Sequence, residues 1–181
     1  MDLSKYNNSH YYPGAASFKR ALWFSINAVL FNSWLFPFSR FKCSILRLFG
    51  AKIGSGVVIK PRVNIKYPWN LEIGNHVWIG EGVWIDSLDK VLIGSNVCIS
   101  QEVFLLTGNH DYKDPYFGLI TKEIKISDSA WLGAKAIVCP GSIIRENSIL
   151  TVGTIYSGET EINGIYQGNP AKLIRKRKYN N

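Results

Sequence analysis

Residues 73–85 read IGNHVWIGEGVWI, and isoleucine recurs in this stretch at every sixth position. The same interval governs most of the chain, in runs that begin at residue 53 and end at residue 150. A period of six fits neither an α-helix, with about 3.6 residues per turn, nor the alternation of a simple β-strand. Every repeat position holds Ile, Leu or Val: Ile53, Ile59, Ile65, Ile73, Ile79, Ile85, Ile93, Ile99, Leu105, Ile126, Leu132, Val138, Ile144 and Leu150. The chain is therefore built from an internal repeat.

A second position of each repeat is also restricted. Four residues after the aliphatic residue the chain holds small or β-branched residues, from Val57 to Thr154, and glycine often follows the aliphatic residue directly, as at Gly54, Gly74 and Gly80. This pattern predicts a triangular solenoid in which each six-residue unit supplies one short strand and one corner. Aliphatic side chains point inwards, and coils stack about 4.8 Å apart. Glycine and asparagine are expected at corners that need unusual backbone angles.

One edge of this solenoid is irregular. The first three coils are 20 residues apart rather than 18, and the third coil is followed by an insertion of fifteen residues, 111–125. The third unit of each coil departs from the repeat pattern, because its fifth position holds Trp69, Asp89 or Asn109 in place of a small or β-branched residue. Insertions gathered on one side of a solenoid often mark its binding face. His110 stands at the base of the long loop and is the leading candidate for chemistry.

Three stretches resemble a known family: residues 78–85 (WIGEGVWI), 93–101 (IGSNVCISQ) and 105–115 (LLTGNHDYKDP). They resemble the hexapeptide-repeat acyltransferase superfamily, and within it the maltose and galactoside O-acetyltransferases and the colanic-acid-type acetyltransferases. The resemblance covers about residues 50–175. It implies an all-β main domain over residues 51–170, a left-handed parallel β-helix with the long loop 111–125. A mostly helical segment, 1–50, precedes this domain, and a short basic tail, 171–181, follows it.

The resemblance also implies a reaction and a catalytic base. In the family, a histidine before the protruding loop accepts the proton of a sugar hydroxyl as that hydroxyl attacks the thioester of acetyl-CoA. His110 occupies that position here, and a neutral imidazole can perform this task at cytoplasmic pH. Transfer is direct, so no cysteine nucleophile is required. We expect an O-acetyltransferase whose acceptor is a precursor of a cell-surface polysaccharide, whereas His76 is expected to be a structural corner residue and His10 has no assigned role.

Two further stretches resemble the coenzyme side of the family's site. Residues 126–134 (ISDSAWLGA) imply that Trp131 packs on the arm of acetyl-CoA, while Gly133 and Ala134 leave room for it. Residues 168–172 (GNPAK) resemble the element that closes these β-helices, and Lys172 and Arg175 then meet the coenzyme phosphates. Alternatively, Trp131 is covered by a neighbouring subunit and the basic residues form a solvated tail. Residues 158–165 depart from the family pattern.

Acidic and aromatic residues near the irregular edge are candidates for acceptor binding. Asp86 or Asp89 could hydrogen-bond sugar hydroxyls or orient His110, and Trp84, Tyr67 or Trp69 could stack on a sugar ring. The two aspartates could equally be turn residues, a common role for short polar side chains. Of these, Asp86 and Trp84 are the primary candidates.

The first fifty residues are apolar but do not form an evident membrane span. Residues 21–38 carry no formal charge, yet serine and asparagine interrupt the run and Pro37 ends it. A run of this length is near the lower limit for a transmembrane helix. The sequence favours amphipathic helices that dock on the protein body. The alternative is peripheral contact of residues 18–45 with the inner face of the membrane, supported by Lys19, Arg20, Arg40 and Lys42.

Composition limits the remaining possibilities. The net charge of +8 favours anionic partners, and apolar residues make up 46 % of the chain. No signal-peptide layout is present, and Cys43, Cys98 and Cys139 form no CxxC pair, so a reduced cytoplasmic protein is expected. We expect a homotrimer with active sites between subunits, acetyl-CoA as donor, no metal and no nucleic-acid partner. Three alternative functions are an acetyltransferase for another small acceptor such as an amino sugar or antibiotic, a non-catalytic scaffold, and a zinc enzyme resembling γ-carbonic anhydrases.

Overall fold

A computed structural model describes residues 2–178. Near the N-terminus it contains a 3₁₀ turn, Leu3–Lys5, helix α1, Ser17–Ile26, a π-helical turn, Asn27–Phe31, and helix α2, Ser39–Leu48; a further 3₁₀ turn spans Pro68–Asn70. The strands are β1 Lys52–Ile53, β2 Val58–Ile59, β3 Asn64–Ile65, β4 Leu71–Ile73, β5 Trp78–Ile79, β6 Trp84–Asp86, β7 Val91–Ile93, β8 Cys98–Ile99, β9 Phe104–Leu106, β10 Gly108–His110, β11 Leu119–Thr121, β12 Ile124–Ile126, β13 Trp131–Leu132, β14 Ile137–Val138, β15 Ile143–Ile144, β16 Ile149–Leu150, β17 Ile155–Tyr156, β18 Gly164–Gln167 and β19 Lys172–Lys176.

The strands wind into coils that stack in parallel register. Sheet A has the order β1-β4-β7-β12-β15, sheet B the order β2-β5-β8-β13-β16-β18-β19, and sheet C the order β3-β6-β9-β14-β17. The chain visits the three sheets in turn, so each sheet is one face of a three-sided column. Ile73 pairs with Ile53 and Ile93, and Ile93 pairs with Ile126 across the insertion. The predicted β-helix of hexapeptide repeats is confirmed.

The repeat residues form the core of this column. Thirteen of the fourteen aliphatic positions are buried, and only Ile53, in the first coil, is partly exposed. The second repeat position is buried as well, and in the last coils it carries hydroxyls. Ser148, for example, bonds to Thr160 and to the carbonyl of Glu161. Because each coil is too thin to bury these residues alone, the core exists only through stacking.

The glycines that follow the aliphatic residues have a different role from the expected one. Positive φ at the corners belongs to other residues, which include Gly82, with φ 70°, Asn96, with φ 58°, and His76, with φ 56°, so the expectation is confirmed for glycine and asparagine at those corners. At Gly74 an added Cβ would lie 2.7 Å from the carbonyl carbon of Gly94 in the next coil. These glycines are therefore needed because neighbouring coils approach closely, and not because of an unusual backbone angle.

The helical N-terminal segment covers the first coil. Strands β1, β2 and β3 are the edges of their sheets, and an edge exposes unpaired backbone groups. Side chains from the segment satisfy these groups. The contacts are Trp23 Nε1 to the Ile65 carbonyl at 2.8 Å, Ile65 N–H to Asn27 Oδ1 at 3.1 Å, Ile59 N–H to Ser39 Oγ at 3.0 Å, Lys42 Nζ to the Lys60 carbonyl at 2.9 Å, and Arg47 to the Ile53 carbonyl at 3.0 Å. We call residues 17–49 the cap.

The opposite end of the column is closed by a reversal of the chain. Strand β18 extends sheet B in parallel, and β19 then pairs with β18 in antiparallel orientation. The ring of Tyr166 packs edge-on against Tyr156 at 5.0 Å and covers the end of the core. The first part of the segment expected as a basic tail, 171–181, is therefore a strand of sheet B, and residues 179–181 lie outside the described residues.

A buried lysine links the cap to the first coil. Lys42 is fully buried; its ammonium donates to the Lys60 carbonyl and lies 5.7 Å from the ring centre of Phe31. Burial lowers the pKa of this ammonium group to about 8. Since an unfolded lysine keeps its proton to about pH 10, the unfolded chain binds more protons between these pH values.

This pKa shift predicts a pH-dependent stability. Between about pH 8 and pH 10 the unfolding free energy of the wild type should rise relative to Lys42→Met by on the order of 2 kcal/mol, since one pKa unit corresponds to about 1.4 kcal/mol. Urea denaturation of both proteins across this range measures the difference. Lys52→Met is the control, because Lys52 is exposed and pairs with Glu72. A difference between wild type and Lys42→Met that stays constant with pH would contradict the assignment.

Candidate active site

The long insertion is a β-hairpin and not an irregular loop. Strands β10 and β11 pair in antiparallel register, with His110 opposite Leu119, and the chain rejoins sheet A at β12. The insertion expected at residues 111–125 is therefore a hairpin that begins with β10 at Gly108 and ends with β11 at Thr121. Antiparallel pairing satisfies the backbone groups of a segment that has left the column. His110 stands on the outer part of this hairpin, at the edge where sheet C turns into sheet A.

The ring of His110 is held in one orientation and one tautomer. Its Nδ1 lies 2.9 Å from the Phe117 carbonyl, and the two rings stack with centres 4.2 Å apart and planes inclined by 4°. A carbonyl oxygen can only accept a hydrogen bond, so Nδ1 carries the hydrogen. In the neutral ring, Nε2 then presents a lone pair. This is the arrangement a general base requires.

The hairpin tip that presents the Phe117 carbonyl is organised by one carboxylate. Asp114 accepts hydrogen bonds from the backbone N–H groups of Tyr116 at 2.9 Å and Gly118 at 3.0 Å. Phe117, between them, has a φ of 54°. The left-handed region is costly for a non-glycine residue. Asp114 thus holds the strained residue that orients His110.

The N-terminal arm, residues 2–12, lies against the hairpin. Asp2 N–H donates to the Pro115 carbonyl at 3.2 Å, and His10 Nε2 lies 3.0 Å from the Leu119 carbonyl. The ring of Tyr6 approaches His110 edge-on, with centres 6.0 Å apart. The sequence does not reveal that the arm and Phe117 are neighbours of His110. The arm is separated from the hairpin by about a hundred residues and shares no repeat with it, so no sequence signal could have revealed the contact.

The two candidate aspartates do not orient His110. Asp86 is buried, and its carboxylate forms an ion pair of 3.1 Å with Lys66. It lies one coil below the root of the hairpin, where Thr107 donates to the Asp86 carbonyl. Asp89 accepts from its neighbour's backbone N–H and so caps a turn. The suggestion that an aspartate orients His110 was wrong, because a backbone carbonyl already fills that role.

Trp84 lines a cleft of about 480 Å³ between helix α1 and sheet C. The indole is 43 % exposed and stacks on Phe104 at 4.6 Å. Arg20, Lys66 and Phe24 also line this cleft, whose volume is in the usual range for small-molecule sites. Trp69, in contrast, donates from Nε1 to the Pro13 carbonyl and stacks on Tyr67. Trp69 does not line the cleft, whereas Tyr67, on which it stacks, does.

The residues expected to bind the coenzyme lie along sheet B. Trp131 is 46 % exposed and donates from Nε1 to Ser100 Oγ at 3.0 Å. Trp131 pairs with Ile149 on the next strand of sheet B, Ile149 pairs with Ile165, and Ile165 pairs with Arg175. Arg175 is therefore three strand spacings, or about 14 Å, from Trp131. Lys172 stands exposed on the same final strand.

Gly133 and Ala134 lie at the corner that follows Trp131. An added Cβ at Gly133 would lie 2.7 Å from the backbone nitrogen of Val152. Stacking of the coils therefore accounts for this glycine without a coenzyme. Ala134 is half-buried beside it.

A single copy of the chain does not bring His110 together with the residues of sheet B that are expected to bind the coenzyme. The hairpin leaves the edge between sheets C and A, whereas Trp131 and Arg175 lie on sheet B. In a three-sided column the edge between two faces is opposite the third face. A site that uses both sets of residues must therefore combine His110 of one copy with sheet B of another.

Other chemistry finds little support among the described residues. Across residues 2–178 no group of three histidine, cysteine, aspartate or glutamate side chains could hold a metal ion. Burial raises the pKa of the thiols of Cys43, Cys98 and Cys139. A raised pKa leaves less of the reactive thiolate, which makes these cysteines poor nucleophiles.

Comparison with known proteins agrees with this architecture. No family model matches the sequence. The chain is 35 % identical over 177 residues to the putative colanic acid biosynthesis acetyltransferase WcaF of Escherichia coli (strain K12), covering 98 % of this chain and 97 % of that protein. It is 27 % identical over 136 residues to the galactoside O-acetyltransferase of the same organism, covering 74 % of this chain and 67 % of that protein.

Solved structures share the same fold. The hexapeptide-repeat acetyltransferase VCA0836 of Vibrio cholerae, solved with acetyl-coenzyme A, superposes with a TM-score of 0.82 at 19 % identity and covers 99 % of this chain and 100 % of that one. A galactoside acetyltransferase in complex with coenzyme A gives a TM-score of 0.78 at 20 % identity, over 97 % of this chain and 91 % of that one.

Fold and sequence together define the class of protein, a β-helix acyltransferase. The chain belongs to the hexapeptide-repeat acetyltransferase family and is similar along almost its whole length to a protein named for colanic acid biosynthesis.

The geometry of His110 predicts its tautomer in solution. At a pH where the ring is neutral, ¹⁵N NMR should show Nδ1 protonated and Nε2 free, because the Phe117 carbonyl accepts from Nδ1. The signal is assigned by its loss in His110→Gln. Asp114→Ala should weaken this preference by releasing the hairpin tip. Asp111→Ala should not, because within residues 2–178 the Asp111 carboxylate accepts only from the Lys113 N–H. A neutral His110 with its proton on Nε2 would contradict the arrangement.

Proposed function

We propose that this protein is an O-acetyltransferase that moves the acetyl group of acetyl-CoA to a sugar hydroxyl, with His110 as general base. The hydrogen bond from His110 Nδ1 to the Phe117 carbonyl carries the proposal, because it leaves Nε2 free to accept a proton. Acetyl-CoA as donor is supported by family membership and by the coenzyme ligands of the related structures.

The acetyl group passes directly from acetyl-CoA to the sugar hydroxyl, without a covalent enzyme intermediate. Nε2 of His110 takes the hydroxyl proton while the oxygen attacks the thioester carbonyl. The tetrahedral intermediate then collapses, the carbon–sulfur bond breaks, and the proton passes from the imidazolium to the departing thiolate. The products are an acetyl ester and free CoA. The raised pKa of the three cysteine thiols agrees with direct transfer.

The cleft beside Trp84 is the proposed acceptor site. A tryptophan face offers a flat apolar surface for a sugar ring, and polar side chains at its rim can bond hydroxyls. Asp86 acts here through Lys66, whose ammonium both pairs with Asp86 and lines the cleft. Relatives named for colanic acid, lipopolysaccharide and galactoside acetylation support a carbohydrate acceptor, and the first two support a polysaccharide precursor.

The active site is proposed to form between copies of the chain in a homotrimer. Trp131, Gly133, Ala134, Lys172 and Arg175 of one copy would hold the coenzyme, and His110 of its neighbour would reach the thioester. The separation of these groups on one column supports this assignment. The protein is proposed to work in the cytoplasm.

Loss of the base should abolish turnover without unfolding the protein. His110→Ala should lower kcat for acetyl transfer by about 10²–10⁴-fold, the usual contribution of a general base. Release of CoA in the presence of nucleotide-sugars and lipid-linked glycans measures the rate. His76→Ala is the matched control, since His76 is an exposed corner residue. If His110→Ala kept its rate within about tenfold of wild type, the base assignment would be wrong.

A shared site also predicts complementation between two inactive variants. His110→Ala and Trp131→Ala, co-expressed with different tags and purified as mixed assemblies, should regain activity. Each mixed cyclic trimer contains one interface with both residues intact, so about one third of wild-type activity per trimer is expected. The two variants purified separately and mixed without exchange of subunits are the control. Mixed trimers as inactive as their parents would exclude a site shared in this way.

A further inference from the structure

The charge of this protein is distributed very unevenly along the chain. No Asp or Glu occurs between Asp2 and Glu72, whereas ten Lys and Arg fall in that interval. The remaining residues, 72–181, hold eleven basic and twelve acidic side chains. Residues 1–71, which comprise the N-terminal segment and the first coil, therefore carry a net charge of +9, and residues 72–181 carry −1. This region of the fold consists of the cap and the strands that the cap covers.

The cap also exposes large apolar side chains that the fold does not use. Trp34, Leu35 and Phe38, in the segment between the π-helical turn and α2, are 62 %, 89 % and 63 % exposed. Phe18 near the start of α1 and Leu48 at the end of α2 are 80 % and 81 % exposed. Single exposed apolar residues are ordinary, but an apolar group of this extent marks an interaction surface.

Basic side chains of the cap and of the coil beneath it lack acidic partners. Within residues 2–178 no carboxylate lies at ion-pair distance from Arg40, Arg47, Lys60 or Arg62. The guanidinium of Arg62 lies 5.1 Å from the ring centre of Trp34, which places a cation and an amphipathic aromatic side by side. Tryptophan and arginine together are typical of the boundary between lipid headgroups and acyl chains.

We propose that the cap is a docking surface for an anionic lipid bilayer, on which the protein lies with its column pointing away from the membrane. No helix within the described residues is long and apolar enough to cross a bilayer. The surface therefore fits insertion of side chains at the interface, with apolar residues in the acyl boundary and basic residues at the headgroups.

A second copy of the chain is a poorer occupant of this surface. Two caps facing one another would bring together two strongly basic faces, and like charges across an interface oppose association. An anionic bilayer supplies both the negative charge and the apolar layer that the cap lacks. In a closed cyclic assembly all caps would point to the same side, so several could engage one membrane at once.

Vesicle binding by the full-length protein tests this proposal. Co-sedimentation is measured with vesicles of phosphatidylcholine alone and of phosphatidylcholine mixed with an equal amount of phosphatidylglycerol. The protein should bind the anionic vesicles and only weakly the neutral ones, and high salt should reduce binding. Leu35→Ser combined with Phe38→Ser should lower the affinity about tenfold or more, because two apolar side chains no longer enter the membrane. Arg40→Gln combined with Arg62→Gln should weaken binding to anionic vesicles alone.

The matched control removes two apolar residues at the other end of the column. Ile162 and Ile174 are 51 % and 48 % exposed, and both lie near the basic strand β19. Ile162→Ser combined with Ile174→Ser should bind vesicles as the wild type does. Circular dichroism and light scattering confirm that each variant is folded and keeps its assembly.

Three results would overturn the proposal. One is equal or absent binding to both kinds of vesicle, and another is an equal loss of binding in the control at β19. The third is a change of assembly in the Leu35 and Phe38 variant with vesicle binding unaltered, which would identify the cap as a contact between copies. Because no step requires turnover, the outcome is independent of the proposed acetyl transfer.

Discussion

The parallel stacking of coils is the constraint on which the rest of this structure depends. Each strand must stay in register with the strands above and below it, and the six-residue repeat keeps an aliphatic side chain in line at every turn. Extra residues cannot enter a strand without breaking this register, so they leave the column at a corner. The hairpin that carries His110 is the largest such departure. The rigid column thus positions a catalytic candidate without burying it.

Backbone groups rather than acidic side chains organise the candidate site. The Phe117 carbonyl sets the tautomer of His110, and Asp114 acts one step away by holding the tip of the hairpin. The Phe117 carbonyl orients the imidazole through a single hydrogen bond from Nδ1 and places no second charge beside the ring. Asp86 instead pairs with Lys66, which lines the cleft beside Trp84.

A stacked column has two ends, and this chain closes them differently. At the C-terminal end the chain turns back on itself as β19. At the N-terminal end, polar side chains of the cap satisfy the first coil, including Asn27 and Ser39. Asn27 interrupts the apolar run between residues 21 and 38, and its side chain bonds to Asn64 and to the Ile65 N–H of the first coil. The same segment therefore has one face committed to the fold and another face, basic and apolar, left at the surface.

The coil, its core residues and the edge at which the insertion leaves could all be predicted from the order of residues, because a period of six is a local property that stacking converts directly into structure. Resemblance to a family added the expected reaction and the role of His110. The surroundings of His110 follow from the folded chain instead, because Phe117 reaches it through a hairpin and the N-terminal arm reaches it through contacts between distant residues. The tertiary structure also separates His110 from Trp131 on opposite sides of one column. That separation depends on which face each strand occupies, and on how many faces the coil has.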